Sequence, residues 1–310
     1  MDLTNLIAIT GLAVISLEVI TGISGNLFIL YVISFQSCKR LDKSACDKII
    51  VALAISSVCH VCILSFSILS GLIIPGMYMS LYVAYAVTLL IVYSANSCIW
   101  LTAVLCFYYF IRITTFSSNI FTWFKTKINK IITWMIFMSQ IMSTFSSSLN
   151  LIQLVQTVNF TRNHTAISSN MTSGAQGNKT INIAFLINCF PILIMMVTTS
   201  TTVVFLSLHR FRLRRSMGTL VSVNVAAYGG VVRTMISSLV FYGIFYTAML
   251  TYSLGVFTSA SLEYWIMSIL LFSFTTVQSI FLISGTPKLK NAWEQMLFCF
   301  KGKISLRSCN

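Results

Sequence analysis

Seven predominantly apolar stretches recur along the chain, at roughly 6–34, 48–74, 83–111, 130–154, 182–208, 234–257 and 263–286. Lipid offers no hydrogen bonds, so a segment crossing about 30 Å of hydrocarbon must satisfy its own backbone, which a helix of about 20 residues does. These runs predict an all-α membrane protein, a single seven-helix transmembrane domain over residues 1–310. A composition of 57% hydrophobic and 8% charged residues excludes an ordinary soluble domain, where about 25% of residues are charged. Three prolines and no Gly/Ser linker leave no domain boundary. The stretch from Gly218 to Val232 reads as the cytoplasmic lead-in to the sixth span rather than an eighth, because Arg233 would otherwise sit in mid-membrane. At the start, the apolar run has no basic region before it, so it reads as a retained first span rather than a cleaved signal.

The basic residues predict the orientation. Lys39, Arg40, Lys43 and Lys48 follow span one, and Arg112, Lys125, Lys127 and Lys130 follow span three. Arg210, Arg212, Arg214, Arg215 and Arg233 follow span five, and Lys288, Lys290, Lys301, Lys303 and Arg307 follow span seven. Only Arg162 and Lys179 lie elsewhere, so the positive-inside rule puts the N-terminus outside and the C-terminus in the cytosol. The charge is split over four short segments beside lipid, which favours the bilayer over nucleic acid as the partner. Loop 155–181 holds the glycosylation acceptors Asn159, Asn163, Asn170 and Asn178, each followed two residues later by Thr. All four fall on the long segment that the charges place outside.

Few ionisable groups lie inside the spans: Glu18 in the first and His60 in the second are the clear ones. No proton relay of the kind a pump needs is visible, nor a half-chain symmetry that would support a small-solute transporter. No HExxH, GxSxG or phosphate-loop arrangement occurs, and His60, His164 and His209 are too dispersed for a metal cluster. An enzyme is disfavoured and no cofactor is expected. His60 reads as a neutral interhelical hydrogen-bonding residue, and Glu18 as structural or as a contact for a cationic ligand. Cys59, Cys62, Cys98, Cys106 and Cys189 lie in apolar runs, whereas Cys38, Cys46, Cys299 and Cys309 lie in basic segments, so no structural disulfide is expected.

Several motifs carry a family resemblance. The first span reads Leu17-Glu18-Val19-Ile20-Thr21-Gly22-Ile23-Ser24-Gly25-Asn26-Leu27-Phe28-Ile29, and the entry to the second reads Asp47-Lys48-Ile49-Ile50-Val51-Ala52-Leu53-Ala54-Ile55-Ser56. The third ends Phe107-Tyr108-Tyr109-Phe110-Ile111-Arg112-Ile113-Thr114-Thr115-Phe116-Ser117, the fifth has Pro191 and ends Phe205-Leu206-Ser207-Leu208-His209, and the seventh closes with Ser279, Gly285 and Pro287-Lys288-Leu289-Lys290. At these spacings the chain resembles the type 2 taste (bitter) receptors, a seven-transmembrane bundle of the G-protein-coupled receptor type. A type 1 vomeronasal pheromone receptor is the nearest rival within the class, and the Pro-Lys-Leu-Lys ending argues against it. Departures from the pattern bear on the switch and the pocket. Ser57 stands where the family usually has Arg, Tyr228 falls in the altered Ala-His motif of helix six, Gln278 replaces His in helix seven, and Ala95-Asn96 replaces an Asn-His pair.

The resemblance, with the general physics of bundles, implies that small apolar or amphipathic bitter molecules bind in the outer half of the bundle. The implied lining is Thr88, Ile91, Val92, Ala95 and Asn96 on helix three, Asn188 on helix five, Phe245, Tyr246 and Met249 on helix six, and Ser268 and Leu271 on helix seven. Positions 88, 92, 95 and 96 share one helical face. Agonist would shift a pre-existing equilibrium of helices five, six and seven. Arg112, Phe116, His209, Arg210 and Arg233 would then contact a heterotrimeric G protein of the gustducin type at the plasma membrane. The tail 287–310 reads as an amphipathic helix on the inner leaflet, with Cys299 as a possible palmitoylation site.

Overall fold

The computed structural model describes residues 3–38, 44–73, 81–114, 119–164, 187, 189–208, 222–253 and 262–307, and all but a few of these are helical. In chain order the helices are α1 (Leu3–Cys38), α2 (Ala45–Ile73), α3 (Leu81–Ile113), α4 (Asn119–His164), α5 (Cys189–Leu208), α6 (Ser222–Ser253), α7 (Leu262–Gly285) and α8 (Pro287–Arg307). Six of them, α1, α2, α3, α5, α6 and α7, are long and apolar enough to cross a membrane. Their apolar segments are Leu6–Phe35, Ala45–Ser70, Leu81–Ile113, Cys189–Leu208, Val232–Met249 and Leu262–Gly285, each overlapping an expected span, with the fifth starting later than 182 and the sixth stopping short of 257. The lead-in to the sixth span is continuous with it, because α6 runs unbroken from Ser222 to Ser253.

The remaining long helix, α4, differs from expectation in length and polarity. It has 46 residues, about 69 Å at 1.5 Å per residue and about twice the thickness of a hydrocarbon core. It therefore overruns the expected span 130–154 at both ends, and Asn159 and Asn163 lie on its last turns. Its middle is diluted by Ser139, Gln140, Ser143 and Ser146 to Ser148. Much of that polarity is internally satisfied. The hydroxyls of Ser139, Ser143, Ser147 and Ser148 each donate to the carbonyl four residues back, at 2.6–2.9 Å.

α3 is the central pole. Of its apolar segment 67% is buried, against 17% for α1, and it packs on α2, α4 and α6. α1 packs on α7 and α2 at the periphery, so it leaves one face to lipid: Leu17, Ile20 and Tyr31 are more than 60% exposed. The α1–α7 seam is close because a Cβ on Gly22 or Gly25 would stand 2.6 Å from Thr275 Oγ1 or Ser279 Oγ. Small residues let helix backbones approach where no hydrophobic drive operates between helices. α8 tucks under the bundle. Leu289 is fully buried, Trp293 meets Phe28 of α1 edge-on at 5.3 Å, and Lys288 reaches Asp47 of α2 at 3.2 Å. Phe298, further along the helix, is 82% exposed.

Candidate ligand site and coupling core

Three of the residues predicted for the pocket, one from each of three helices, belong to the main buried apolar cluster. Ala95 of α3, Phe245 of α6 and Leu271 of α7 are all buried in one apolar cluster, with Met249 packed against it. The Phe245 ring stacks on Phe274 at 4.2 Å, and Phe274 also meets Phe241, Tyr242 and the imidazole of His60. Phe274 is thus an aromatic hub joining α2, α6 and α7, and no local motif marked it in the sequence. Thr88, Ile91, Val92 and Tyr246 are half-buried. Ser268 is buried, and its hydroxyl donates to Tyr264 O at 2.8 Å. Asn188 lies outside the described residues.

Asn96 is turned toward α4, where its Nδ2 donates to Ser146 Oγ at 3.1 Å. It belongs to a polar ladder along the α2–α3–α4 seam. Gln140 Oε1 accepts from Tyr93 Oη at 2.8 Å and from Ser97 Oγ at 3.0 Å, and Ser97 is bonded to Ser56 at 3.0 Å. A second bridge, Thr102 Oγ1 to Tyr242 Oη at 2.5 Å, ties α3 to α6.

His60 does join two helices, as its position in the sequence suggested. Its Nδ1 is 3.0 Å from Ser94 Oγ, whose one proton is donated to Ile91 O at 2.9 Å. That leaves Nδ1 as the donor and Nε2 as an acceptor. Nε2 is buried with no partner among the described residues, in a ring that packs edge-on against Phe245 and Phe274. An unpaired acceptor beside an aromatic cluster suits a ligand that brings one donor and an apolar body.

Two of the departures from the family pattern touch each other. Ser57 Oγ donates to Gln278 Oε1 at 3.0 Å across the α2–α7 interface, at 0% and 3% exposure. The same hydroxyl lies 2.8 Å from Leu53 O, so the two acceptors share its proton. Gln278 Nε2 and Asn26 Oδ1 have no partner among the described residues, while Asn26 Nδ2 donates to Gly22 O at 2.8 Å and Thr275 O at 3.4 Å. A neutral Ser–Gln pair thus stands at the two positions where the family resemblance led to Arg and His. Neither residue signals the other in the sequence, 221 positions away. Glu18 Oε2 also has no described partner, though the Glu18 carbonyl accepts from Thr276 Oγ1 at 3.0 Å.

At the basic ends of the helices, Arg112 and Arg233 are exposed. The Arg112 guanidinium donates to Tyr108 Oη at 2.5 Å. The Asp47–Lys288 pair ties the start of α2 to α8, and beside Asp47 the Cys46 thiol contacts Tyr109 Oη at 3.8 Å. Phe116, His209 and Arg210 lie outside the described residues, as do Asn170 and Asn178. Tyr228 lies on α6. Cys46, Cys59, Cys62, Cys98, Cys106 and Cys189 are unpaired, and among the described residues there is no His/Cys/Asp/Glu cluster able to hold a metal.

Known proteins resemble this chain along almost its whole length. The family model for taste receptor proteins (TAS2R) matches residues 3–301. Taste receptor type 2 member 9 of Macaca mulatta is 27% identical over 297 residues, 94% of each chain. Taste receptor type 2 member 39 of Rattus norvegicus is 29% identical over 299 residues, 92% of this chain and 91% of that one. The human member 9 is 36% identical over a shorter stretch of 114 residues, 37% of this chain and 36% of its own. With helices apolar enough to span a bilayer and a match that leaves out only the chain ends, this multi-pass membrane protein belongs to the taste receptor (TAS2R) family, G-protein-coupled bitter receptors rather than enzymes.

Proposed function

We propose that this receptor crosses the plasma membrane seven times, with α4 as the fourth span and the N-terminus outside. It senses small, mostly apolar or amphipathic bitter molecules in the outer half of the bundle and activates a gustducin-type heterotrimeric G protein. One observation carries the reading of the site: Phe245 of α6 and Phe274 of α7 pack against His60 of α2, whose Nε2 acceptor lacks a partner among the described residues. A ligand wedged at that junction acts directly on the contacts between α6 and α7, the elements whose equilibrium it has to shift. The remaining lining, Thr88, Ile91, Val92 and Tyr246 with Met249, supplies apolar contact and two hydroxyls without charge, which suits broad and weak recognition. On the cytosolic side Arg112 and Arg233 offer exposed cations, and the sequence adds Phe116, His209 and Arg210 as further candidate contacts for the G protein.

Topology and function are tested separately. Asn159, Asn163, Asn170 and Asn178 are changed to Gln one after another, and gel mobility is followed with and without glycosidase. Stepwise loss of glycan places loop 155–181 outside. A tag at residue 165 that is reached only from the cytosol would reverse the orientation. Function is read as agonist-evoked calcium in cells supplied with a gustducin-like chimera during a screen of bitter compounds. Radiolabelled solute uptake without any such response would replace the receptor by a transporter.

A further inference from the structure

We propose that the basic, N-terminal part of α4 is a binding site for an anionic glycerophospholipid of the inner leaflet. The site is an open groove of about 660 Å³, lined among others by Trp123, Lys127, Lys130, Ile131, Trp134 and Met138. These positions recur at helical spacing, so they form one face of α4 rather than a random patch. From Lys127 to Met138 the helix rises about 16 Å, about the depth from a phosphate to the middle of its acyl chains. The chemistry is graded along that rise. The ammonium groups stand at the end that the charge pattern puts in the cytosol, an indole follows one turn deeper, and methionine follows one turn further.

The cations are available. Among the described residues no carboxylate lies within 4 Å of Lys127 or Lys130. The Lys127 ammonium sits over the Trp123 ring, 5.5 Å from its centroid, which restrains it at the mouth of the groove. A third ammonium stands nearby on α2, where Lys48 Nζ donates to Thr133 Oγ1 of α4 at 3.5 Å. The apolar part faces outward: Trp134 is 56% and Met138 50% exposed. A soluble acidic partner would leave that apolar half unused, and a sterol hydroxyl would leave the ammonium groups without a counter-charge. A phosphodiester with acyl chains satisfies both halves, and juxtamembrane lysines contribute about 1 kcal/mol each toward anionic lipid.

The inference rests on the topology proposed above, with α4 entering the membrane from the cytosol. Intact receptor is purified in detergent, equilibrated with equal amounts of phosphatidylserine and phosphatidylcholine, and examined by native mass spectrometry. Wild type is expected to retain phosphatidylserine selectively. Lys127→Ala with Lys130→Ala should lower that preference roughly 30-fold, whereas Lys127→Arg with Lys130→Arg should keep it. Retention of phosphatidylserine and phosphatidylcholine in equal amounts overturns the proposal, as does a preference unchanged in the double alanine variant. Displacement of the bound lipid by cholesterol, with the preference insensitive to the lysines, assigns the groove to sterol and equally overturns it. Both faces of the receptor are accessible in detergent, so an inverted topology does not alter these readings. Conversely, loss of the lipid preference leaves the agonist-evoked calcium test intact.

Discussion

The Ser57–Gln278 pair makes an unequal prediction about two single substitutions. Ser57 is 0% and Gln278 3% exposed, so neither gains a water partner when the other is removed. Ser57→Ala strips Gln278 Oε1 of its donor while Nε2 already lacks an acceptor among the described residues, so an entire amide is left unpaired. An unsatisfied buried polar group costs about 1–3 kcal/mol. Gln278→Leu instead removes both amide atoms, including the orphaned one, and Ser57 keeps Leu53 O as its acceptor. That variant should lie within about 0.5 kcal/mol of wild type. The double variant should resemble Gln278→Leu alone, because once the amide is gone the hydroxyl adds little. The coupling therefore equals the cost of Ser57→Ala, about 1–3 kcal/mol, and the ceiling of about 1.7 kcal/mol found for hydrogen bonds between membrane helices favours the lower part of that range. The assay is thermal unfolding of the solubilised receptor, read by a thiol-reactive fluorophore. Exposed Cys59 and Cys62 react at once, and buried Cys98 and Cys106 only on unfolding. If Ser57→Ala is neutral, or if the two changes add within about 0.3–0.5 kcal/mol, the pair does not couple α2 to α7 and the reasoning is wrong.

Further outcomes follow from the same geometry. Gly25→Val places a branched Cβ 2.6 Å from Ser279 Oγ and 3.0 Å from Ser279 Cβ, so it should part α1 from α7. Surface expression is then expected to fall by more than half, whereas Gly243→Ala, with open space around its Cβ, should leave it unchanged. For the Asp47–Lys288 pair, half-exposed on the lysine side, removal by Lys288→Ala should shift agonist potency by no more than about fivefold, the equivalent of about 1 kcal/mol. A charge swap at the two positions should restore it, and a shift of a hundredfold would assign the pair a larger part. Phe245→Ala removes the ring stacked at 4.2 Å on Phe274 and should cut agonist potency at least tenfold without abolishing surface expression. Unchanged concentration–response curves would remove Phe245 from the ligand site.

The length of the apolar runs was enough to read α1, α2, α3, α5, α6 and α7 as candidate spans, because lipid imposes a minimum run length that local composition alone reports. α4 was harder to bound. Its serines count as polar in a residue-by-residue reading, yet in the helix their hydroxyls donate to their own backbone and lose much of that polarity. That Ala95, Phe245 and Leu271 share one buried cluster could not be read from local pattern, and neither could the turning of Asn96 toward Ser146.

What the chain determined by itself is which segments are helices and which ends carry cations, since burial in lipid and the placement of charge depend on each residue and its near neighbours. Only the tertiary structure decided that Ser57 meets Gln278, that Phe274 joins three helices, that Lys288 reaches Asp47 and that one His60 nitrogen has no partner among the described residues. Each of these depends on the rotation and depth of one helix against another. Those are set by close packing summed over many side chains, and no single residue type encodes them.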